Sequence, residues 1–363
     1  MECLHGGRAT AISTKKGMFW VCNKNNPKCC EFFCPEQDRS LFDTAMMMWR
    51  ANGAIRPLCD THQRPSRMRV VKDIIPKCLS IPLVAAANHI GVHPVACLWS
   101  SLINNWKIKD KARPALDISN IDMQSLYTGS SEEAWFFLIH WDIEIQSVPG
   151  IKSVAAAQKA VLDDNQELLR ACLIILRNTI QKLKISLKRI SEKCNPAFFY
   201  TKLRTFLTGW KNNKSLPDGI IYEGVSSKPF QFSGASGAQS TGFHLFDAAL
   251  SITHEDGEKA FLDSMLGYMP RGHRRFVKEI RREPSIRDYV VRSENSELLK
   301  LYNECVESLV QFRSLHVQVV TRRVQYLILF HITPSDSIYL LTEKIRGISF
   351  PFYCKNKSDV LMR

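Results

Sequence analysis

Residues 295–324 restrict the fold more than any other segment, because their pattern is that of one long helix. Apolar side chains recur at alternating intervals of four and three residues, which is the spacing of a single buried helix face. These positions are Leu298, Tyr302, Cys305, Leu309, Phe312, His316 and Val319. Asn295 or Ser296 precedes the first of them as a helix N-cap. The segment therefore predicts a long amphipathic helix.

One position on this apolar face, His316, carries an imidazole. A polar group that is buried without a partner costs several kcal/mol by order of magnitude. A hydrogen bond from a facing helix would satisfy the ring, and so would a metal ion. For a lone histidine on an apolar face the hydrogen bond is the commoner case. The segment alone leaves both interpretations open.

Helical spacing continues through most of the chain upstream. Further helices are predicted near Pro94 in HPVACLWSSLINNWKIKD, after Ser130 or Ser131 in SSEEAWFFLIHWDIEI, along the stripe from Leu169 to Ile190, and from Asn195 in NPAFFYTKLRTFLTGW. Extra isoleucines widen the apolar face of the long stripe, which favours a globular bundle over a coiled coil. The prediction is a mainly α-helical domain over residues 74–330, followed by an unassigned tail at 331–363.

Charge and hydropathy limit the partners of the chain. The net charge is +14, but the basic residues are spread out, apart from a run between Arg271 and Arg282. Diffuse basicity gives weak, salt-sensitive attraction to polyanions, and we interpret the run as a solvated helix face. No apolar stretch reaches the roughly 18 residues of a membrane span, and no secretory signal is visible. A cytoplasmic location is expected, with the nucleus as an alternative.

Cysteines are concentrated at the amino end. In a chain without a visible secretory signal, this suggests a metal site rather than disulfides. The stretch CLHGGRATAISTKKGMFWVCNKNNPKCCEFF resembles the GRF-type zinc finger. The resemblance implies a small β-rich segment over residues 1–73 that binds Zn²⁺ through Cys3, His5, Cys22 and Cys30. Cys29 and Cys34 are the alternative ligands if the register differs.

A second, truncated copy of this pattern begins at Cys59 and His62 and lacks its second ligand pair. GRF fingers resemble binders of single-stranded nucleic acid, in which basic side chains follow phosphates and aromatic rings stack on bases. Trp20, Phe32 and Phe33 would serve as stacking rings or, alternatively, form the small core of the finger.

Three places in the helical body carry side chains suited to chemistry. His140 lies on an apolar face of its helix, one turn after Phe136. Arg204 follows Phe199 and Tyr200 by one turn, where an arginine clamps a carboxylate or pairs with an acidic neighbour on the surface. The Gly/Ser stretch FSGASGAQST at 232–241 presents backbone N–H groups to a polar ligand or is a flexible linker.

Five segments in the body together resemble one family, the indoleamine 2,3-dioxygenases. They are FFLIHWDIEI, NPAFFYTKLRTFLTGWKNNKSLPDGIIYEGV, FSGASGAQSTGFHLFDAAL, FLDSMLGYMPRGHRRF and RSLHVQVVTRRV, in the family's order. The resemblance extends over approximately residues 74–325. It implies a haem-binding helical bundle in which His316 is the proximal ligand of the iron of haem b.

The resemblance also implies roles for the residues around the haem. Asp247 and Arg313 match the polar residues on the proximal side. The distal pocket is implied to consist of Phe136, His140, Phe199, Tyr200 and Arg204. Phe136 and Phe199 would sandwich an indole, Arg204 would bind the substrate carboxylate, and Ser236 and Gly237 would face the haem edge.

The implied reaction is the dioxygenation of L-tryptophan, or another indoleamine, by O₂ to N-formylkynurenine in tryptophan catabolism. The sequence departs from the family at both ends. The small amino-terminal helical domain is nearly absent, and the residues after Val324 match neither the mobile loop nor the final helix. The alternative function is a zinc-finger nucleic-acid-binding protein whose haem-dioxygenase-like domain is not catalytic.

Overall fold

A computed structural model describes residues 73–213, 216–282 and 284–329 of the chain, with side chains up to residue 320, and the backbone of three strands before residue 73. Within these residues the chain is mainly α-helical. It divides into two compact units. The first comprises Met1–Asn105 with Phe206–Ala235, and the second comprises Trp106–Thr205 with Ser236–Arg363.

The first unit begins with a small antiparallel sheet formed by strands β1 (Ala9–Thr14), β2 (Gly17–Cys22) and β3 (Phe32–Phe33). Its register pairs Ala9 with Cys22 and Trp20 with Phe32. The apolar stretch MFWVC is thus a strand, as its composition predicts.

The rest of the first unit consists of helix α1 (Lys77–Ile90) and the parallel strand pair β4 (Ile74–Ile75) and β7 (Ile221–Tyr222). Tyr222 is fully buried, and its hydroxyl donates a 2.7 Å hydrogen bond to the carbonyl oxygen of Pro94. This bond satisfies the one polar group of a buried aromatic side chain and fixes the loop after α1.

The second unit contains most of the helices. They are α2 (Ser131–Leu162), α3 (Gln166–Lys188), α4 (Pro196–Phe198), α5 (Arg204–Leu207, at the boundary of the two units), α6 (Thr241–Ala249), α7 (Asp256–Met265), α8 (Arg271–Ile280), α9 (Ile286–Arg292) and α10 (Ser296–Leu329). A short antiparallel pair, β5 (Trp106–Ile108) and β6 (Ile121–Met123), precedes them.

The predicted long carboxyl-terminal helix is α10, and it runs parallel to α3. Three side-chain pairs join the two helices. Successive pairs are seven residues apart on each helix and follow the same direction along both. They are Arg170–Glu297, Arg177–Glu304 and Lys184–Gln311, at 2.6, 2.5 and 2.6 Å. Beneath this ladder lies the predicted apolar face, on which the five positions from Leu298 to Phe312 are buried. Packing of two amphipathic faces therefore accounts for the longest helix.

The prediction of a helix that begins near Pro94 and continues through the stretch ending at Asp110 is wrong. The chain forms only a π-helical turn at Trp99–Ile103, and β5 follows it. The buried Ser100 hydroxyl accepts a hydrogen bond from the N–H of Cys97 and donates one to its carbonyl oxygen. These local bonds compete with a regular helix, and the segment is buried on all sides rather than on one face.

No helix in the described part of the chain combines the length and apolar character that crossing a bilayer requires. The predicted zinc ligands Cys3, His5 and Cys30 lie outside the described residues. Cys22 is described only as the last residue of β2. The other candidates there, and the tail at 331–363, also lie outside them: Cys29, Cys34, Cys59 and His62.

Candidate functional site

Helix α2 positions the first two candidate residues. The Ser130 hydroxyl caps the helix by accepting a hydrogen bond from the N–H of Glu133 at 3.1 Å. The Glu133 side chain is fully buried and accepts hydrogen bonds from the N–H groups of Tyr127 and Thr128. Together they fix the first turn, one turn before the position of Phe136.

The imidazole of His140 is oriented by its own helix. Its Nδ1 atom lies 2.8 Å from the carbonyl oxygen of Phe136. A carbonyl oxygen only accepts hydrogen bonds, so Nδ1 carries the proton and Nε2 is the acceptor of the neutral ring. The ring centroids of the two residues are 4.3 Å apart. His140 therefore offers a hydrogen-bond acceptor on an aromatic surface.

The segment after α3 carries the remaining distal residues. Its cap is Asn195, whose side chain accepts from the N–H of Ala197 at 2.8 Å, with Pro196 at the first helical position. The predicted continuous helix is instead α4, a π-helical turn at Phe199–Leu203, and α5. Wide turns of this kind frequently occur at functional sites. Here the wide turn carries Phe199 and Tyr200, and α5 begins at Arg204.

The aromatic rings of the two segments form one continuous wall. The centroids of Phe136 and Phe199 are 5.0 Å apart at an interplanar angle of 33°, and those of Phe199 and Tyr200 are 5.4 Å apart. An indole between two rings needs about 7 Å between their planes, twice the contact distance of carbon atoms. The expected sandwich between Phe136 and Phe199 does not describe this arrangement, because the two rings contact each other.

Arg204 stands at the end of this wall. Its guanidinium carbon lies 5.1 Å from the centroid of the Tyr200 ring. Burial lowers the pKa of Arg204. Among the residues that the structure describes, no aspartate or glutamate forms an ion pair with it. The surface pairing that the sequence leaves open is thus not found within this part of the chain. A partly desolvated guanidinium favours a carboxylate ligand.

The Gly/Ser stretch is a defined turn in this unit. Ser236 begins a 3₁₀ turn, Gly237–Gln239, and forms a reciprocal capping box with Gln239. Both Ser236 and Gly237 are half-buried. The turn leads directly into α6, so the two predicted haem-edge residues are held at the start of a helix.

Helix α6 packs against α2 on one side. Ser240, the residue before α6, donates a hydrogen bond to the carboxyl group of Glu144, which lies one turn after His140 on α2. Burial raises the pKa of Glu144 to about 7, against the smaller lowering effect of this bond. Sequence reasoning missed Glu144, although its spacing of four from His140 was the available signal.

Helix α6 packs against α10 on the other side. The Phe243 and Phe312 rings stack with centroids 5.0 Å apart. The guanidinium of Arg313, which directly follows Phe312, donates a 2.5 Å hydrogen bond to the carboxylate of Asp247, one turn after Phe243. The structure thus brings together Asp247 and Arg313, the two residues that the family resemblance assigns to the proximal side.

The Asp247–Arg313 pair belongs to a larger buried network that the sequence does not indicate. Nε2 of His254 lies 2.9 Å from Oδ2 of Asp247, and its Nδ1 lies 3.6 Å from Glu258. Burial alone would raise the pKa of Asp247, but Arg313 and His254 together lower it below the usual value. His254 is in the loop after α6, where no helical periodicity marks it as a partner.

His316 follows Arg313 by three residues on α10. Its Nδ1 atom is buried, while the residue as a whole is half-buried. It is less enclosed than the five preceding positions on the same helix face. An imidazole on a rigid helix, flanked by an aromatic stack and a buried ion pair, has the donor chemistry of a haem ligand. These residues therefore fit an axial haem ligand with its supporting groups.

No group of three or more histidine, cysteine, aspartate or glutamate side chains suited to a metal ion occurs among the described residues. The amino-terminal Zn²⁺ site therefore stays a prediction, since its proposed ligand side chains are not described. A haem iron would instead need only one protein ligand, such as the proximal histidine of globins and peroxidases.

Comparison with known protein families matches residues 58–332 to the family described as indoleamine 2,3-dioxygenase. Human indoleamine 2,3-dioxygenase 2 is 38% identical over 250 residues, which are 69% of this chain and 61% of that protein. The Saccharomyces cerevisiae indoleamine 2,3-dioxygenase is 32% identical over 292 residues, 73% of this chain and 61% of the yeast protein.

A relative with a different name aligns over a larger share of both sequences than the dioxygenases do. A protein named myoglobin from Haliotis madaka is 31% identical over 294 residues, 78% of this chain and 73% of that protein. By contrast, the chain spans only about three fifths of the human and yeast proteins.

Proposed function

The chain belongs to the indoleamine 2,3-dioxygenase family, and on that premise we propose that it is a haem-dependent dioxygenase of L-tryptophan or a related indoleamine. The reaction inserts both atoms of O₂ across the C2=C3 bond of the indole ring and yields N-formylkynurenine. This function would make the chain an enzyme of tryptophan catabolism in the kynurenine pathway. The names of the human and yeast relatives support the substrate class.

The observation that carries the proposal is the environment of Arg204. A partly buried guanidinium stands at one end of an aromatic wall, with no ion-pair partner among the described residues. An amino acid with an aromatic side chain complements this arrangement. Its carboxylate would form a bidentate pair with Arg204, and its ring would lie along Phe136 and Phe199.

His140, which lies beside Phe136 in this aromatic wall, would orient the indole. Its Nδ1 proton is held by the Phe136 carbonyl oxygen, so Nε2 is the acceptor. An indole N–H is a donor only. The fixed tautomer of His140 therefore matches the one polar group of the substrate ring. Tyr200, whose ring stacks beneath Arg204, would hold the guanidinium in place.

The remaining residues would enclose the reacting groups. Ser236 and Gly237 would present the 3₁₀ turn to the haem edge and the substrate amino group. His316 would be the proximal ligand, with Asp247 and Arg313 fixing the helix beside it. Haem b, when bound, supplies the iron that binds and activates O₂. The protein residues contribute orientation and exclusion of water.

A second candidate, haem-based binding of O₂ without turnover, is favoured by one observation. The relative named myoglobin covers a larger share of both sequences than the dioxygenases do. Product formation separates the two functions, because only the dioxygenase releases N-formylkynurenine. The zinc-finger alternative, binding of single-stranded nucleic acid through Cys3, His5, Cys22 and Cys30, predicts bound zinc and no stoichiometric haem.

The proposal is tested by comparing Arg204→Leu with Arg204→Lys and with Lys202→Leu in the haem-loaded protein. Lys202 is exposed on the same turn and serves as the matched control. Loss of a charged hydrogen-bonding partner should raise the KM for L-tryptophan about tenfold or more in the first variant. Arg204→Lys should fall between the other two. An unchanged KM in Arg204→Leu, or no product from the wild type, would contradict the proposal.

A further inference from the structure

The 3₁₀ turn at Gly237–Gln239 is held by a histidine that lies outside the site described above. Nε2 of His244 on α6 lies 2.8 Å from the carbonyl oxygen of Ala238. Ala238 is the middle residue of this turn, and it is buried. His244 is only 3% exposed, so bulk water does not compete for this hydrogen bond. It therefore fixes the backbone next to Gly237.

The second nitrogen of His244 determines which tautomer the ring adopts. Nδ1 lies 3.0 Å from a terminal guanidinium nitrogen of Arg281. A guanidinium only donates and a carbonyl oxygen only accepts, so Nδ1 is the acceptor and Nε2 carries the proton. Burial lowers the pKa of His244, and the Arg281 charge acts in the same direction. The ring is thus neutral and has one defined orientation.

Arg281 is itself held in place by an acidic side chain. Its guanidinium donates a 2.7 Å hydrogen bond to the carboxylate of Asp263 on α7. Arg281 directly follows α8, and its side chain is 34% exposed. The connected groups therefore run from the surface carboxylate of Asp263, through Arg281 and His244, to the carbonyl oxygen of Ala238. They join three helices to one turn.

We propose that His244 is a positioning residue for substrate binding. Arg281 orients the imidazole of His244, and the imidazole in turn holds the carbonyl oxygen of Ala238 in place. The inference rests on the proposed function, in which Ser236 and Gly237 of this turn face the haem edge and the substrate. Loosening the turn would weaken substrate binding more than turnover. His244 would contact neither the substrate nor the haem.

The test uses four variants of the full chain. His244→Phe removes both hydrogen bonds of the imidazole. His244→Gln keeps a donor for Ala238 and an acceptor for Arg281. Arg281→Met removes the group that orients His244. Arg275→Met is the matched control, because this side chain is 80% exposed on α8 and pairs only with Glu279 among the described residues.

Two measurements are made on each variant. The first is amide hydrogen exchange of Gln239 and Ser240, whose N–H groups donate to the carbonyl oxygens of Ser236 and Gly237 within the turn. The second is the KM and kcat for L-tryptophan in the haem-loaded protein. We expect about tenfold faster exchange and about tenfold higher KM in His244→Phe and Arg281→Met, with kcat within about threefold of the wild type.

We expect His244→Gln and Arg275→Met to behave like the wild type in both measurements. Wild-type exchange in His244→Phe would overturn the inference, and so would His244→Gln exchanging as fast as His244→Phe. If His244→Phe does not fold, Arg281→Met decides alone, since its side chain reaches the surface. A wild type without haem or product contradicts the proposed function, while the exchange rates still decide whether His244 holds the turn.

Discussion

Asp247 on α6 and Arg313 on α10 form a buried ion pair with a hydrogen bond of 2.5 Å. Arg313 is 3% exposed, and Asp247 accepts a second hydrogen bond from His254. Two buried ions stabilise a fold only when their geometry is good and their other polar atoms are satisfied. The pair joins the two helices one turn before His316, so it holds the part of α10 that carries His316 against α6.

Replacing Arg313 with methionine should destabilise the protein by about 3 kcal/mol, because it leaves the buried carboxylate of Asp247 without its cation. Urea unfolding of the haem-free protein at neutral pH measures this cost. Adding Asp247→Leu to the same chain should recover part of it, since the double variant buries no charge. A single variant as stable as the wild type would show that the ion pair does not hold α6 on α10.

Replacing His140 should weaken substrate binding. His140→Ala removes the Nε2 acceptor and should raise the dissociation constant of L-tryptophan about tenfold, as expected for one hydrogen bond. His140→Gln keeps an acceptor and should lose less. Difference spectra of the haem-loaded protein on titration with L-tryptophan give the dissociation constant of the wild type and of each variant. Equal affinity in the wild type and His140→Ala would contradict the assigned hydrogen bond to the indole N–H.

The sequence predicts the long helices well, because their apolar spacing persists over many turns. The spacing predicts α10 and α3, and the serine cap predicts the start of α2. It does not predict that α2 continues through Pro149 to Leu162. The cost of an interior proline is overcome here by packing against α3, the next helix, and against α6, which is distant in sequence.

The stability of the protein should change with pH through Glu144. The pKa of this carboxyl group is about 7 in the folded state and 4.5 in an unperturbed chain. Between these values the folded state binds more protons than the unfolded state, so stability falls as pH rises from 4.5 to about 7. Because Glu144 is half-buried, we expect a loss of about 1–2 kcal/mol.

The comparison with Glu144→Gln isolates this effect. The free energy of unfolding of the wild type minus that of the variant should decrease between pH 5 and pH 7.5 and stay constant above it. His244 contributes with the opposite sign in acid. Its folded pKa lies below 6.5, so the stability that it provides is lost as pH falls below that value. A difference between wild type and Glu144→Gln that is independent of pH would contradict the raised pKa of Glu144.

Gly150→Ala should destabilise the junction of α2, α3 and α6. A Cβ atom there would lie 2.8 Å from Cγ2 of Thr179 and 3.1 Å from the Phe246 ring. We expect a cost of about 1–3 kcal/mol from overpacking, which exceeds the gain of up to about 1 kcal/mol in helix propensity. Gly272→Ala on α8 meets nothing within 4 Å and is the matched control. Thermal unfolding in which Gly150→Ala is as stable as Gly272→Ala would contradict the close packing.

The candidate site could be predicted only in part. Helical spacing points to His316, to His140 beside Phe136 and to Arg204 beside Phe199. The family resemblance adds Asp247 and assigns a role to each of these residues. The tautomer of His140, the contact of the two phenylalanine rings and the roles of His244 and His254 depend on three-dimensional contacts. A histidine hydrogen-bonded to a backbone carbonyl oxygen leaves no pattern in the sequence, because any residue supplies that acceptor.

Haem binding through His316 on α10 is tested most directly by the visible spectrum of the purified, haem-supplemented full chain. A His316→Ala variant is measured beside the wild type. We expect a Soret band at one haem per chain in the wild type, and its loss or shift in the variant. A wild type without stoichiometric haem, or a variant with an unchanged Soret band, would contradict the account.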